Sequence, residues 1–248
     1  NCAIPMTILN TIVAKQLKEF KIEVDALIDE KGLKKDEAVF NILREYIKDS
    51  KAIRFEGDSY GKAWEKEAKK RGLSNNKTTP DALKVKVADK TIHLFKEMEV
   101  MSKVEIEARY EIDLEAYTKK IQIEGRVLAD IARNHVVPTA IIYQNTLLEN
   151  TKNLKEIFGS DYKNIAKEQI ELIMVISNHI TQINALVIKM ESEKEKANKQ
   201  VGLKLAEYYS NKVKPFFIDI RYHCDQLETM VDDNLWPLTK YRELLFTK

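Results

Sequence analysis

The residues with the most versatile chemistry in this chain are four histidines and two cysteines, and their spacing limits what they can do. Asp219 and His223 lie one helical turn apart, and Asn134-His135 and Asn178-His179 sit in the middles of the two longest helical stretches. A di-iron type of bundle needs a Glu-x-x-His pair on two helices with further glutamates facing them. Neither His135 nor His179 has a glutamate three residues earlier, and His93, between Ile92 and Leu94, has no evident ligand partner. Structural hydrogen bonding is the expected role of all of them, ahead of metal ligation. Cys224 adjoins His223, but neighbours on a helix point about 100° apart and cannot share a proton as nucleophile and base, so a buried thiol is expected. No GxGxxG or GxxxxGK[ST] phosphate loop occurs. The one glycine-dense loop is RFEGDSYG, Arg54 to Gly61. It could touch a ligand, because loops carry function more often than helices; its alternative reading is a turn that seats Phe55 and Tyr60 on a helical core. No residue is assigned a catalytic, cofactor-binding or metal-binding role.

The elements that would position these groups are helices. With only 7 Gly and 5 Pro against 32% charged residues, there is too little punctuation for the frequent tight turns of a sheet-rich fold. From Thr7 to Lys31, Leu9, Val13, Leu17, Phe20, Val24, Leu27 and Ile28 recur at threes and fours, a buried helical stripe that Gly32 would stop. A second helix is expected from about Asp36 to Ser50, burying Val39, Ile42, Leu43, Tyr46 and Ile47. An irregular loop near 51–61 follows, then a short helix around Lys62 to Arg71. In Thr79-Pro80-Asp81, the threonine suits an N-cap and the proline a first turn, opening a helix to about Met98. Ser102-Lys103-Val104-Glu105 reads as a capping box.

A very long helix follows to about Phe158, with a kink expected at Pro138, whose ring clashes with the carbonyl of Asn134. Gly159-Ser160-Asp161 turns the chain into another long helix, whose Ile173, Ile176, Ile180, Ile183, Val187 and Met190 form a heptad seam. That seam suits either a homodimeric coiled coil or an intramolecular hairpin, and the short turn favours the hairpin. The charged stretch ESEKEKANK is expected to protrude or fray before the pattern resumes. Pro215 would end or bend the helix, and further pieces run from Phe216 to about Val231 and from Pro237 to Phe246, with Trp236 as an anchor. The fold class expected is all-α: a long kinked helical hairpin from about Lys103 to Lys214 with shorter packed helices and no substantial β-sheet. Residues 1–101, with the irregular loop near 51–61, and residues 102–248, the long antiparallel hairpin plus the C-terminal helices, are two groups expected to form one continuous helical unit.

The totals exclude some roles. Net charge is +2 with acids and bases interspersed, and no sustained basic tract is present to neutralise nucleic-acid phosphates. Two cysteines are too few for a disulfide framework, and free thiols suit the cytoplasm. The strongly apolar run IELIMVIS is far short of the roughly twenty residues that span a bilayer, so no membrane role is expected. The chain opens on Asn1 with an amphipathic pattern already running by Ile8, which suggests the back portion of a larger protein.

Several strings resemble one family, the type III glutamine synthetases, in the region that follows their catalytic barrel. NCAIPMTILNTIVA is similar to the stretch after the last active-site strand. RFEGDSYGKAWEKEAKKRGL, TTPDAL and EARYEIDLEAYTKKIQIEGRVLADIARNHVVPTAIIYQN resemble the next landmarks in order, and VDDNLWPLTKYRELLF resembles the C-terminus. The resemblance implies a parent glutamate–ammonia ligase that uses ATP and Mg²⁺ or Mn²⁺ through a γ-glutamyl phosphate. It also implies that the metal-holding carboxylates and nucleotide-contacting arginines belong to other portions, that this chain alone is inactive, and that its partners are an upstream barrel and other subunits of a ring assembly. A free-standing helical scaffold or coiled-coil interaction protein is the alternative.

Overall fold

The computed structural model describes residues 3–246, apart from the side chains of 241 and 242. Every regular element among them is helical, with no strand. Asn1 and Cys2, the start of the string that resembles a post-barrel segment, lie outside the described residues. The chain forms two compact units, one up to Asp113 and one from Leu114 onward.

The first unit contains α1 (Ala3–Lys31), α2 (Lys35–Asp49), α3 (Lys62–Lys70), α4 (Thr79–Lys84), α5 (Asp89–Glu97) and the beginning of α6 (Lys103–Asp130). Gly32 ends α1 in the left-handed region at φ 63°, where the Gly32 and Leu33 amides donate back to Ile28 and Leu27. Only a residue without Cβ adopts that conformation at no steric cost. The stripe expected to be buried along α1 is buried only in its second half. Val24 is 6% exposed and Phe20 meets Tyr46 edge-on, whereas Leu9, Val13 and Leu17 are 62%, 56% and 63% exposed. The cause is a mismatch of lengths: α1 has 29 residues and α2 has 15, spanning about 43 Å and about 22 Å. Leu43 and Ile47 of α2, expected inside, are exposed as well. On another side of α1, the Lys15 ammonium donates to Glu97 of α5 at 2.7 Å, which holds the Glu97 carboxyl below its usual range.

Two local expectations shift. The cap of α4 is Thr78, one residue before the threonine expected, and its hydroxyl accepts from the Asp81 amide at 3.3 Å. The helix then stops at Lys84, passes through a 3₁₀ turn, and restarts as α5 instead of running unbroken to Met98. The capping box of α6 is formed as expected: the Ser102 amide donates to Glu105 Oε2 at 2.7 Å, and the Glu105 amide to Ser102 Oγ at 3.3 Å.

The second unit is the rest of α6 with α7 (Val137–Phe158), α8 (Tyr162–Ile165), α9 (Lys167–Ala197), α10 (Gly202–Tyr208), α11 (Pro215–Met230) and α12 (Tyr241–Leu244). Helix α9 packs on both α7 and α11, and its inner seam of Ile176, Ile183, Val187 and Met190 is fully buried. The hairpin reading of that seam is therefore the one realised. By length and composition α9 would also cross a bilayer, more than the short apolar run suggested, but here its inner face lies in the protein core. The charged stretch stays helical to Ala197, and the chain turns through Gly202 at φ 57°. Tyr209, 1% exposed, fastens this turn by donating its hydroxyl to Asn198 Oδ1 at 2.7 Å, while Gln122 of α6 donates to the same hydroxyl at 3.2 Å. Trp236 is buried against this core, as an anchor should be.

The disturbance expected at Pro138 is a π-helical segment, Ile131–Val136. Pro215 follows a second one, Tyr209–Val213, and opens α11. In each case the residue before the proline donates to a carbonyl five residues back, Val137 to Ala132 and Lys214 to Tyr209.

Gly125 lets α6 approach α11 closely, since a Cβ there would sit 3.2 Å from two ring carbons of Phe217. Gly125→Val is expected to lose about 1–3 kcal/mol of stability by overpacking. The loss should shrink in a Phe217→Ala background, a coupling that denaturant unfolding of the double-mutant cycle measures.

Candidate functional site

Three places bring reactive side chains together. The first is the loop before α3. Phe55 stacks on Trp64 with ring centroids 4.2 Å apart, and the Arg71 guanidinium lies over both rings at 5.5 and 5.8 Å. Arg71 also donates to the Arg54 carbonyl at 2.9 Å and to Glu67 Oε1 at 2.7 Å, which keeps the Glu67 carboxyl below its usual range. A Cβ at Gly57 would fall 2.8 Å from the tip of the Phe55 ring, so a side chain there would make the ring shift. The loop is thus closed on itself by a cation–π and hydrogen-bond clasp. Phe55 packs on Trp64 but stays 37% exposed, and Tyr60 is 98% exposed, so the turn reading is met only by the Phe55–Trp64 stack. The Asp58 carboxylate accepts from the Tyr60 amide at 2.9 Å, an Asx turn.

The second place is a histidine pair that spacing along the sequence did not reveal. His179 of α9 and His223 of α11 face each other with Nδ1 atoms 2.8 Å apart. One imidazole donates while the other accepts, so the pair holds together only while at least one ring is neutral. Burial, and next the charge of His223, lower the pKa of His179. The hydrogen-bonding role expected for His179 is the one found. His135 is exposed in the first π segment and His93 is exposed with its Nε2 3.6 Å from Glu97. Cys224 is half-buried, and burial raises its thiol to about 11, so it is an inert thiol at neutral pH.

The third is a solvent-facing cleft of about 440 Å³ lined by Glu193, Tyr208, Lys212, Phe216 and Asp219. Glu193 is already engaged: it accepts from Lys196 at 2.6 Å and from Tyr208 at 2.7 Å, which lower its pKa. Among the described residues no group of three His, Cys, Asp or Glu converges as metal ligands require. The described residues thus do not by themselves make up a Mg²⁺ or Mn²⁺ centre.

Comparison with known proteins decides what kind of chain this is. Residues 38–155, from α2 through most of α7, match the glutamine synthetase C-terminal domain. Along its whole length the chain is 44% identical to a glutamine synthetase from Bacteroides fragilis (strain YCH46), covering 34% of that protein. The chain is thus similar to glutamine synthetases, and its residues 38–155 to their C-terminal domain. Over 98% of its length it is also 30% identical to a type-3 glutamine synthetase from Dictyostelium discoideum, of which it covers 33%. A glutamine synthetase from Butyrivibrio fibrisolvens is 27% identical over 85% of the chain and 30% of that protein. The chain thus spans about a third of the length of these relatives. The resemblance carried by NCAIPM, RFEGDSYG and the later strings is borne out.

The histidine pair makes a stability prediction with a definite sign. A base whose folded pKa lies below its unfolded value resists a proton that the unfolded chain accepts. Stability is complete above the ordinary histidine value of 6.5 and falls as pH drops through it. Thermal melts should show Tm falling between about pH 7.5 and about pH 5.5, and His179→Gln should flatten that dependence.

Proposed function

We propose that this chain is the C-terminal helical portion of a type III glutamine synthetase. The parent enzyme joins ammonia to the γ-carboxylate of glutamate with ATP and Mg²⁺ or Mn²⁺ in the cytoplasm. The chemistry resides in a catalytic portion outside this chain, and the helices brace that portion and contact other subunits. The observation that carries the reading is the 44% identity running through the entire chain while covering a third of a glutamine synthetase.

The bare half of α1 supports the bracing role. Leu9, Val13 and Leu17 are each more than half exposed, and they continue a stripe whose other half is buried by α2. Covering each of them would contribute on the order of 1.5–3 kcal/mol. A neighbouring portion of the same enzyme is the cover this reading supplies.

Two assays test the proposal. With glutamate, ATP, Mg²⁺ and ammonia, the 248-residue chain alone should release no phosphate, while the longer protein that contains it should turn over. Turnover by the chain alone would place the chemistry inside it, and an inert longer protein would remove the parent activity. In the longer protein, Val13→Asp should lower stability by about 1.5–3 kcal/mol, which thermal unfolding reads.

A further inference from the structure

Helix α9 carries a second seam. About 180° around the helix from Ile176, Ile183, Val187 and Met190, the residues Met174, Asn178, Thr181, Ala185 and Ile188 follow at alternating fours and threes. Met174 and Ile188 are 58% and 60% exposed, and Asn178 and Thr181 are exposed beside them. A surface helix ordinarily presents charges on this side. Here no side chain from Leu172 to Ile188 is charged, in a chain of which 32% is.

Charge returns at both ends of the strip, and in opposite signs. Glu171 and Lys189 are exposed and stand five helical turns apart, so they lie on the same side of α9. If two copies of α9 pair antiparallel about a two-fold axis near Ile180, Glu171 of each lies level with the partner's Lys189. Parallel pairing would set like charges against each other. The neighbouring helix widens the strip: Gln144 of α7 donates to the Ile173 carbonyl at 2.9 Å and to Ser177 Oγ at 2.5 Å. Ile141 and Leu148, one turn to either side of Gln144 on α7, are 43% and 48% exposed. A strip two helices wide and about 27 Å long is roughly 500 Å² per copy, near the lower edge of specific interfaces.

We infer that the uncharged outer face of α9 is a two-fold interface between two copies of this chain, paired antiparallel and registered by Glu171 against the partner's Lys189. The inference does not rest on the parent enzyme's activity. Glu171 has a long, exposed ion pair with Lys167 at 3.9 Å, which is worth little and leaves it available to a partner. The size of the strip makes the association concentration-dependent.

Sedimentation equilibrium of the 248-residue chain at low salt should show a monomer–dimer equilibrium. Ile188→Glu should weaken it by about tenfold or more, with circular dichroism and Tm unchanged because the side chain is exposed. Glu171→Lys and Lys189→Glu should each weaken the dimer, and the double variant should restore it. Monomer at all concentrations, a dimer indifferent to Ile188→Glu, or a charge swap without restoration would each overturn the inference. Flotation with phosphatidylcholine–phosphatidylglycerol vesicles that Ile188→Glu abolishes would assign the face to a membrane instead, and would overturn it too.

Discussion

The second unit depends on the burial of one seam of α9 against α7 and α11. Four side chains of that seam have no exposure at all, and the residues facing them, among them Val136, Ala140, Val213, Ile220 and Leu227, are equally enclosed. Burying a side chain of this size contributes about 1.5–3 kcal/mol, and the deletion of one leaves a cavity that costs more. The other features of the unit keep the three helices in the register that this burial needs. Gly159 reverses the chain at φ 56° between α7 and α8, Tyr209 fastens the return at the far end of α9, and Gly125 allows α6 to come within reach of Phe217.

The two prolines show how the long helices keep that register despite carrying a residue that cannot donate. A proline inside an α-helix removes one bond and pushes its ring at the carbonyl four residues back. In both cases the preceding turn widens, so that the residue before the proline bonds five residues back. One extra residue is absorbed locally and the chain goes on as α7 or α11. The widened turns put Val136, Tyr209 and Val213 into the core, so they belong to the packing as much as to the accommodation of proline.

Local rules made most of this legible. The Ser102–Glu105 box, the glycine stop of α1 and the α9 seam each depend on residues within a turn or two of one another, and each is present where the spacing placed it. What escaped depended on a second element. Whether Leu9 and Val13 are covered turns on the length of α2, which periodicity in α1 does not contain. His179 and His223 are 44 residues apart and meet because α9 and α11 run side by side. Adjacent threonines at 78 and 79 satisfy the same cap pattern, and only the bond from the Asp81 amide distinguishes Thr78. One of the two readings of the loop seats Tyr60 on the helical core, a matter of tertiary contact that residue type does not contain, and Tyr60 is 98% exposed beside the Asx turn at Asp58.

The balance of forces at the surface bears on why so much apolar area is left bare. Many ion pairs are helix-surface pairs three or four residues apart, such as Lys119–Glu115 and Arg221–Asp225. Each is worth about 0.3–0.5 kcal/mol and less in salt. They raise solubility and support individual helices, but several together equal only one buried leucine. Charges therefore cannot be what decides where the exposed stripes of α1 and α9 end up. Both stripes repeat the spacing of a packed seam; the outer face of α9 carries no charge from Leu172 to Ile188, and in α1 the charge between Leu9 and Leu17, Lys15, is drawn aside to Glu97. A helix face that repeats an interior pattern without interior packing gains its largest stabilisation when another surface covers it.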